Sequence, residues 1–297
     1  MWLAGRRCGT IALVPTVVLL TTDALTHPDL DSPLLVDALI RRGATVELRN
    51  WYDPGLAERS IDLLVLRTPW DYFDRLDEFL ATIGGFPQPV VNPPSVVRWN
   101  CHKGYLVELA RAGVPVVPTA LLSRGAEPMM PEMIGADRII VKPAVSGAAI
   151  GVGLFDRESP DAAMHLARLL MDQDVLVQPF LESVHSGERS LIFFGGAYSH
   201  AIEKMPADGD FRVQVNHGGS NTRHTATTVE IAAAQRALDA VPGNDALAYA
   251  RVDLVGGVDE PLVMELELIE PELFLPMAPG SADRLAGVLL ARLRPAA

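Results

Sequence analysis

Short apolar runs alternate with helical patterns over the first ninety or so residues of the chain. The run 17–20 ends at two threonines and an aspartate, which is typical of a buried strand that leads into a loop. A helix is predicted over 33–42, with Gly43 as its stop signal, and further strands are predicted at 45–49 and 62–67. This order predicts a small parallel, doubly wound α/β unit.

The loops of such a unit are candidate binding positions, because ligands bind beyond the carboxyl ends of the strands. Trp70 and Asp71 follow the third predicted strand and therefore belong to this edge of the sheet. Packing of Trp70 within its own loop is the alternative. A proline-rich stretch at 87–94 marks the predicted end of the unit.

The next segment combines a helix, a lysine and a loop of small residues. A helix is predicted from a cap at Asn100 to Gly113, with Lys103 in its first turn. A lysine there opposes the helix dipole, so we predict that Lys103 faces an anion at the same helix terminus. A strand at 138–143 then leads into a small-residue loop at 144–153, whose backbone amides can approach phosphates closely. The glycine spacing matches neither common nucleotide-binding motif.

The second half of the chain reads as strands around a long polar stretch. A strand from 175 runs into an extended hinge, and a hairpin is predicted to turn at 195–196. The polar stretch 205–228 contains Arg212 and His217, and a loop of this length inside a compact domain is usually functional. A disordered insertion is the alternative interpretation.

Two acidic strands near the C-terminus carry the strongest chemical signal. Glu265 and Glu267 are two residues apart in a strand and so share one face, with Leu262, Met264, Leu266 and Leu268 predicted on the other. Asp253 lies on the preceding predicted strand. Like charges this close need a cation, and hard oxygen ligands suit Mg²⁺. We predict one metal site, with a solvated sheet face as the alternative.

Composition limits the remaining function classes. The length of 297 residues favours about two domains, and a formal charge of −12 argues against a general nucleic-acid or anionic-membrane binder. Cys8 and Cys101 lack metal or redox spacing, which favours a reducing, cytoplasmic setting. Residues 1–20 resemble a short secretory signal, but Pro15 interrupts the apolar run and no Ala-x-Ala site follows, so a strand is preferred.

The order of these features resembles the ATP-grasp enzymes, and in particular the glutathione-synthetase-like members, from about Val17 to the end. The resemblance rests on Lys103, the strand before the glycine loop, the hinge at 178–181, the Arg212 loop and the acidic strands. It implies an α/β ATP-grasp fold in which a small parallel N-terminal domain precedes two α+β subdomains that clasp ATP. We predict domains at 1–94, 95–181 (the lid) and 182–297 (with the metal site).

The resemblance also implies a nucleotide site. Lys103 and Lys142 match the lysines that hold the ATP phosphates, and Ser146 and Gly147 lie in the glycine loop beside them. Residues that match the adenine hinge are Gln178, Pro179, Phe180 and Leu181, and Glu188 matches the acidic residue that meets the ribose.

The resemblance further implies a reaction centre that needs Mg²⁺, with two ions expected and Mn²⁺ as an alternative. Arg189 and Arg212 match arginines that face the phosphoryl group and the substrate carboxylate. The metal ligands would be Asp253, Glu265 and Glu267. The family usually has Asn at the last of these positions, so Glu267 is a departure.

The implied reaction transfers the γ-phosphoryl group of ATP to a carboxylate, and an amine then attacks the acyl phosphate. The sequence segments around Trp70, Arg212 and Glu270 look most like those of the cycloserine-forming branch of the family. Members of that branch close O-ureido-serine into a ring and release CO₂ and ammonia. The residues predicted for the substrate pocket are Trp70, Asp71, Asn216, His217 and Glu270. The expected partner is a small amino-acid-like molecule, not nucleic acid or a membrane, and a homo-oligomer is compatible with the sequence.

Three alternatives remain open from the sequence. A bimolecular carboxylate–amine ligase would need a second acceptor, and a non-catalytic ATP-binding module would bind nucleotide without releasing ADP. A structural protein with an acidic sheet would not bind Mg-ATP.

Overall fold

The computed structural model describes residues 14–25, 27–213 and 215–293, without the side chain of Asn216. The basic start of the signal-like segment, together with Cys8, lies outside these residues. The described part of that segment forms the first strand, as the apolar pattern predicts. No helix among the described residues is long and apolar enough to cross a membrane.

The N-terminal sheet is parallel and has helices on both faces. Its strands are β1 (Thr16–Thr21), β2 (Thr45–Asn50), β3 (Leu63–Thr68) and β4 (Val90–Val91), in the order β2-β1-β3-β4. Helices α1 (Ser32–Arg41) and α2 (Leu76–Gly85) belong to the same unit. Val17 and Leu19 pack into one core and Val18 and Leu20 into another, which is why β1 is apolar at successive positions. Strand β4 lies inside the stretch predicted as a boundary, because its two valines complete the sheet edge.

The middle of the chain forms a second, antiparallel sheet with its own core. Its strands are β5 (Ala120–Leu122), β6 (Arg138–Pro143), β7 (Gly153–Asp156) and β8 (Val175–Pro179), in the order β5-β8-β6-β7. Helix α5 (Pro160–Asp172) covers this sheet through Ala162, Leu166 and Leu170. This core makes the sheet a layer of its own, although Leu176 of β8 also packs into the core of the large sheet.

The third sheet is the largest, and its strands are all antiparallel. They are β9 (Glu188–Phe194), β10 (Ala197–Met205), β11 (Ser220–His224), β12 (Tyr249–Gly257) and β13 (Glu260–Glu267), in the order β11-β10-β9-β12-β13. Helices α3 (Pro94–Asn100), α4 (Tyr105–Arg111) and α6 (Thr228–Asp239) contribute to its core, and α7 (Ser281–Ala291) packs on the N-terminal unit with α1. The strands of each sheet come from one of the three predicted domains. The helices do not follow these boundaries, because α4 of the second predicted domain packs on the large sheet and α7 of the third packs on the N-terminal unit. The domain boundaries remain a prediction.

The prediction that Asn100 caps the helix bearing Lys103 is wrong. Asn100 is the last residue of α3, and Lys103 lies in the turn before α4. The Asn100 side chain is instead used across the fold, where it donates to the Leu266 carbonyl at 2.8 Å and accepts from the Leu268 amide at 2.9 Å. Lys103 therefore owes its position to a loop and not to a helix terminus.

Two further expectations are corrected by the structure. The polar stretch 205–228 is not structureless, because β11 pairs with β10 within it. On β13, a register shift against β12 makes Met264 an extra residue, which is a β-bulge. Met264 consequently lines the same cleft as Glu265. Val263 occupies the core position beside Leu266 that was predicted for Met264.

Candidate active site

A cleft of about 590 Å³ lies between the three sheets and contains most of the predicted site. The predicted residues that line it are Lys103, Lys142, Ser146, Gly147, Gln178, Pro179, Phe180, Leu181, Glu188, Arg212, Asp253, Glu265, Glu267, Trp70 and Glu270. A cleft with convergent charged groups on otherwise apolar walls is typical of a small-molecule site.

Two lysines define one part of the cleft. Lys103 donates from Nζ to the Ser146 carbonyl at 2.6 Å and lies 3.2 Å from Glu265 Oε1. Its backbone amide donates to the Ala144 carbonyl at 2.8 Å, which ties it to the loop after β6. Lys142 is buried at the end of β6, and burial lowers the pKa of its ammonium group to about 8, although Glu265 opposes the shift. Their positive charges, close to the backbone of the glycine loop, can receive phosphate oxygens.

The Lys142 shift predicts a pH dependence of nucleotide binding. The ammonium group is charged below a pKa of about 8 and neutral above it, so ATP affinity should fall as the pH rises. If only the charged form binds well, the Kd for ATP should be about tenfold higher at pH 9 than at pH 7. Titration calorimetry at both pH values measures this ratio. Lys142→Arg should show a clearly smaller change over the same range, because its guanidinium group stays charged, and an equal pH dependence in both proteins would contradict the assignment.

The predicted hinge connects the middle sheet to the large sheet. Gln178 is buried on β8 and donates from Nε2 to Thr119 Oγ1 at 2.8 Å, so its side chain is already fixed. The guanidinium group of Arg138 lies over the Phe180 ring, 4.6 Å from its centroid. These contacts hold the hinge backbone in an extended form at the cleft wall, where its amide and carbonyl groups can recognise a planar base.

Asp253 lies at the centre of a buried charge network. Arg251 donates from Nε to Asp253 Oδ1 at 3.0 Å, and Ser190 Oγ donates to the same oxygen at 2.5 Å. Lys204 Nζ lies 3.2 Å from Asp253 Oδ2 and also pairs with Glu188. Although burial opposes it, the pKa of the Asp253 carboxyl is therefore held well below its usual range, chiefly by Arg251 and Lys204.

Glu267 is the other acidic partner of Arg251. It forms an ion pair with the Arg251 Nη2 group, and it stands opposite Arg251 in the β12–β13 pairing. Burial, with the neighbouring charges of Asp253 and Glu265, raises the pKa of the Glu267 carboxyl to about 8 against the opposing effect of Arg251. Burial is the largest cause, so the raised pKa chiefly reflects the cost of a charged carboxylate away from water.

The three predicted metal ligands line one cleft but do not form a closed metal centre. Across the described ranges, no three Asp, Glu, His or Cys side chains converge to enclose an ion. Both oxygens of Asp253 are already engaged with protein donors. The chemistry of Glu265 and Glu267 nevertheless fits Mg²⁺, because both are carboxylates that line the cleft and hard oxygen ligands suit this ion.

The two predicted arginines differ in their placement. Arg212 lines the cleft but is bound to Asp210, with Nη2 2.7 Å from Oδ2. Arg189 points to the opposite face of its sheet, where its Nε lies 2.5 Å from Glu230 Oε1 and its Nη2 donates to the Gly256 carbonyl. Strand alternation explains this, because Glu188 before it faces the cleft. The structure thus gives Arg189 a place in the core and not in the cleft.

Arg251 and Lys204 are cleft residues that the sequence analysis missed. Both are buried and carry charge beside Asp253. Two signals were available in the sequence. Arg251 is two residues before Asp253 on a predicted strand and so shares its face, and Lys204 faces Glu188 across the predicted hairpin.

The far end of the cleft is built between the N-terminal sheet and the segment 270–277. Trp70 stacks on His27 with ring centroids 4.1 Å apart, and its indole nitrogen donates to the Glu270 carbonyl at 3.3 Å. Arg67 Nη2 donates to the Pro271 carbonyl at 3.1 Å. Asp31 accepts from the amides of Leu273 and Leu275, at 2.5 and 2.7 Å. These contacts fasten the segment 270–277 to the N-terminal unit at this end of the cleft.

Two other predicted substrate residues are absent from the cleft lining, and a third falls outside what is described. Asp71 accepts a hydrogen bond at 2.8 Å from the indole of Trp51, which turns it away. His217 lies in the short 3₁₀ turn at 215–217. The side chain of Asn216 lies outside the described part of the structure.

Two family models match successive parts of the chain. Residues 17–92 match the N-terminal domain of D-cycloserine synthetase DcsG, and residues 109–271 match the ATP-grasp domain of prokaryotic glutathione synthetase. The cycloserine biosynthesis protein DcsG of Streptomyces lavendulae is 37% identical over 94% of this chain and 99% of its own length. Glutathione synthetase of Parasynechococcus marenigrum is 27% identical over 67% of this chain and 66% of its own length.

Solved structures agree with these sequence matches. The crystal structure of D-cycloserine synthetase DcsG superposes with a TM-score of 0.84 at 32% identity, covering 94% of this chain and all of that one. A D-alanine–D-alanine ligase from Bacillus anthracis has a TM-score of 0.68 at 14% identity over 95% of this chain and 97% of its own, which is a likeness of fold alone.

Proposed function

The chain belongs to the ATP-grasp ligases, in the D-cycloserine synthetase DcsG family, and from that premise we propose that its cleft closes O-ureido-serine into cycloserine at the expense of ATP. It is a C–N bond-forming ligase. The substrate carboxylate takes the γ-phosphoryl group, and a nitrogen of the same molecule then displaces phosphate to form the ring. One water then hydrolyses the carbamoyl group that remains on the ring nitrogen, which releases carbon dioxide and ammonia and leaves a hydrogen on that nitrogen.

The way the far end of the cleft is built is the observation that carries this proposal. Asp31, Arg67 and Trp70 fasten the segment 270–277 to the N-terminal sheet. The two lysines line the same cleft as this segment, so we propose that the amino-acid-sized substrate binds between them. A tethered nucleophile has a high effective molarity and needs little more than such a pocket.

The residues of the cleft fit the first half-reaction. Lys103 and Lys142 would hold the phosphates, and the hinge would hold adenine. ATP-grasp ligases use ATP and Mg²⁺, and here Glu265 and Glu267 would hold the metal, for which we propose two ions. Bound Mg²⁺ offsets the charge of the phosphates during transfer. Arg251, Lys204 and Arg212 supply the cationic groups that can face the transferred phosphoryl group.

A bimolecular carboxylate–amine ligase is the second candidate. It is favoured by the match of residues 109–271 to the ATP-grasp domain of prokaryotic glutathione synthetase. Such an enzyme would need an open position for a second acceptor, whereas the cyclo-ligase needs one amino-acid-like substrate.

The deciding experiment mixes the protein with Mg-ATP and O-ureido-serine, and follows ADP together with the ring product by mass spectrometry. The expected result is one cycloserine for each ADP without any added amine. ADP release that absolutely requires a second amine, with a linear amide as product, would contradict the cyclo-ligase and favour the second candidate. Parallel reactions with the D and L substrates determine the stereochemical preference.

A further inference from the structure

Glu270 occupies a position that the phosphoryl-transfer chemistry does not use. It follows β13 by three residues, at the point where the chain leaves the metal-ligand strand for the N-terminal sheet. Trp70 donates to its backbone carbonyl at 3.3 Å, and Arg67 donates to the carbonyl of the next residue, Pro271. These two hydrogen bonds fix the backbone while the Glu270 side chain lines the cleft.

The carboxylate of Glu270 is also distinguished by its lack of an ion-pair partner. Most other acidic groups of the cleft have a Lys or Arg nitrogen within 4.0 Å, and Glu272 has the imidazole of His27 within that distance. The acids paired with Lys or Arg are Asp31, Glu188, Asp253, Glu265 and Glu267. In the part of the chain that the structure describes, Glu270 forms no such pair, and Asp29 accepts from backbone amides instead. The Glu270 carboxylate is therefore available to a ligand.

The electrostatic surroundings of Glu270 suit a proton acceptor. Burial raises the pKa of its carboxyl to about 7, with Glu265 adding to the shift and Lys103 and Arg251 opposing it. The charge of Glu270 also raises the pKa of the Tyr72 hydroxyl, beside the larger effect of burial. The Glu270 carboxylate therefore lies within electrostatic range of both Lys103 and Tyr72. A base is most effective when its pKa lies near the working pH.

We propose that Glu270 is the base of the ring-closing step, an inference that rests on the proposed function. The nitrogen bonded to the substrate's side-chain oxygen attacks the acyl phosphate carbon and forms the C–N bond. The bond from that carbon to the phosphate oxygen breaks, and inorganic phosphate leaves with the electron pair. The proton of the attacking nitrogen passes to Glu270, so the nitrogen is neutral in the ring.

This role separates the two half-reactions. Transfer of the phosphoryl group to a carboxylate oxygen releases no proton, so it does not need Glu270. Ring closure does need a proton acceptor. Loss of the carboxylate should therefore slow ring formation while the acyl phosphate still forms, and the intermediate should then be open to other nucleophiles.

The test compares wild type with Glu270→Gln, using Mg-ATP and O-ureido-serine with and without hydroxylamine. In the variant, cycloserine formation should fall by about 10²-fold. ADP should fall much less, and hydroxylamine should capture the difference as a hydroxamate. Glu260→Gln, an exposed glutamate on β13, should match wild type in both products. Glu270→Ser should behave as Glu270→Gln does, and thermal unfolding verifies that each variant is folded.

Each alternative result has a definite reading. Unchanged cycloserine formation in a folded variant would overturn the proposal. An equal fall in ADP and cycloserine, with no hydroxamate, would also overturn it and would assign Glu270 to substrate binding or phosphoryl transfer. If wild type itself released ADP but no ring product, the proposed function would fail and this inference with it, and that failure is recognised before any variant is compared.

Discussion

Replacing Glu265 by Gln is expected to lower ADP release by about 10³-fold or more while the protein remains folded. Glu265 lines the cleft on β13, and its Oε1 lies 3.2 Å from Lys103 Nζ. A bound metal stabilises the transferred charge by several kcal/mol, and each 1.36 kcal/mol is a factor of about ten in rate. The amide of Gln keeps the shape of the side chain but removes the charge that attracts Mg²⁺.

The measurement is steady-state ADP release, together with Mg²⁺ binding by calorimetry in the presence of a non-hydrolysable ATP analogue. Glu260→Gln makes the same chemical change at an exposed position of the same strand and should have no effect on either quantity. Wild-type ADP release and wild-type Mg²⁺ affinity in Glu265→Gln would remove the metal assignment.

Replacing Arg251 by Gln is expected to destabilise the protein by about 3–5 kcal/mol, because it leaves buried carboxylates without their cation. Arg251 contacts Asp253 through Nε and Nη2, and it pairs with Glu267 through the same Nη2 group. The matched control is Arg41→Gln. Arg41 lies on the surface, 3.2 Å from Asp283, and exposed pairs of this kind contribute about 1 kcal/mol or less.

Urea unfolding followed by circular dichroism gives both free energies. A loss for Arg251→Gln as small as that for Arg41→Gln would show that Lys204 alone is enough to hold Asp253. Mg²⁺ should raise the unfolding midpoint of Arg251→Gln more than that of wild type, because the metal can replace the missing positive charge on this face.

Much of the fold was predictable because strand and helix signals here are local. Strand β1 and helix α1 were predicted to within one residue at each end. The Asn100 prediction failed because the side chain that appeared to be a helix cap bonds instead to backbone more than 160 residues away in sequence. No local pattern can distinguish these two uses of the same amide.

Every residue predicted for nucleotide binding lines the cleft, whereas two members of the charge network, Arg251 and Lys204, were not predicted. Glu265 and Glu267 were placed on one face by simple alternation, and the structure has them there. Met264 was misplaced because a β-bulge breaks that alternation, and the bulge is visible only in the β12–β13 register. Arg189 was predicted and Arg251 was missed because the family resemblance identifies residues by their order along the chain. Whether a residue lines the cleft depends instead on the direction of its side chain.

The fastening of the segment 270–277 to the N-terminal sheet has a mechanical consequence. The N-terminal sheet and the large sheet share one core, in which Leu19 and Leu39 pack with Phe194, Tyr249 and Leu285. The middle sheet has its own core around Ile139, Val141 and Leu166, and, of the described residues there, only Leu176 of β8 and the adjoining Ala144 pack into the core of the large sheet. We therefore expect the N-terminal sheet and the large sheet to move together as one rigid unit. The sheet β5–β8 would then be the part that moves when ATP enters and ADP leaves.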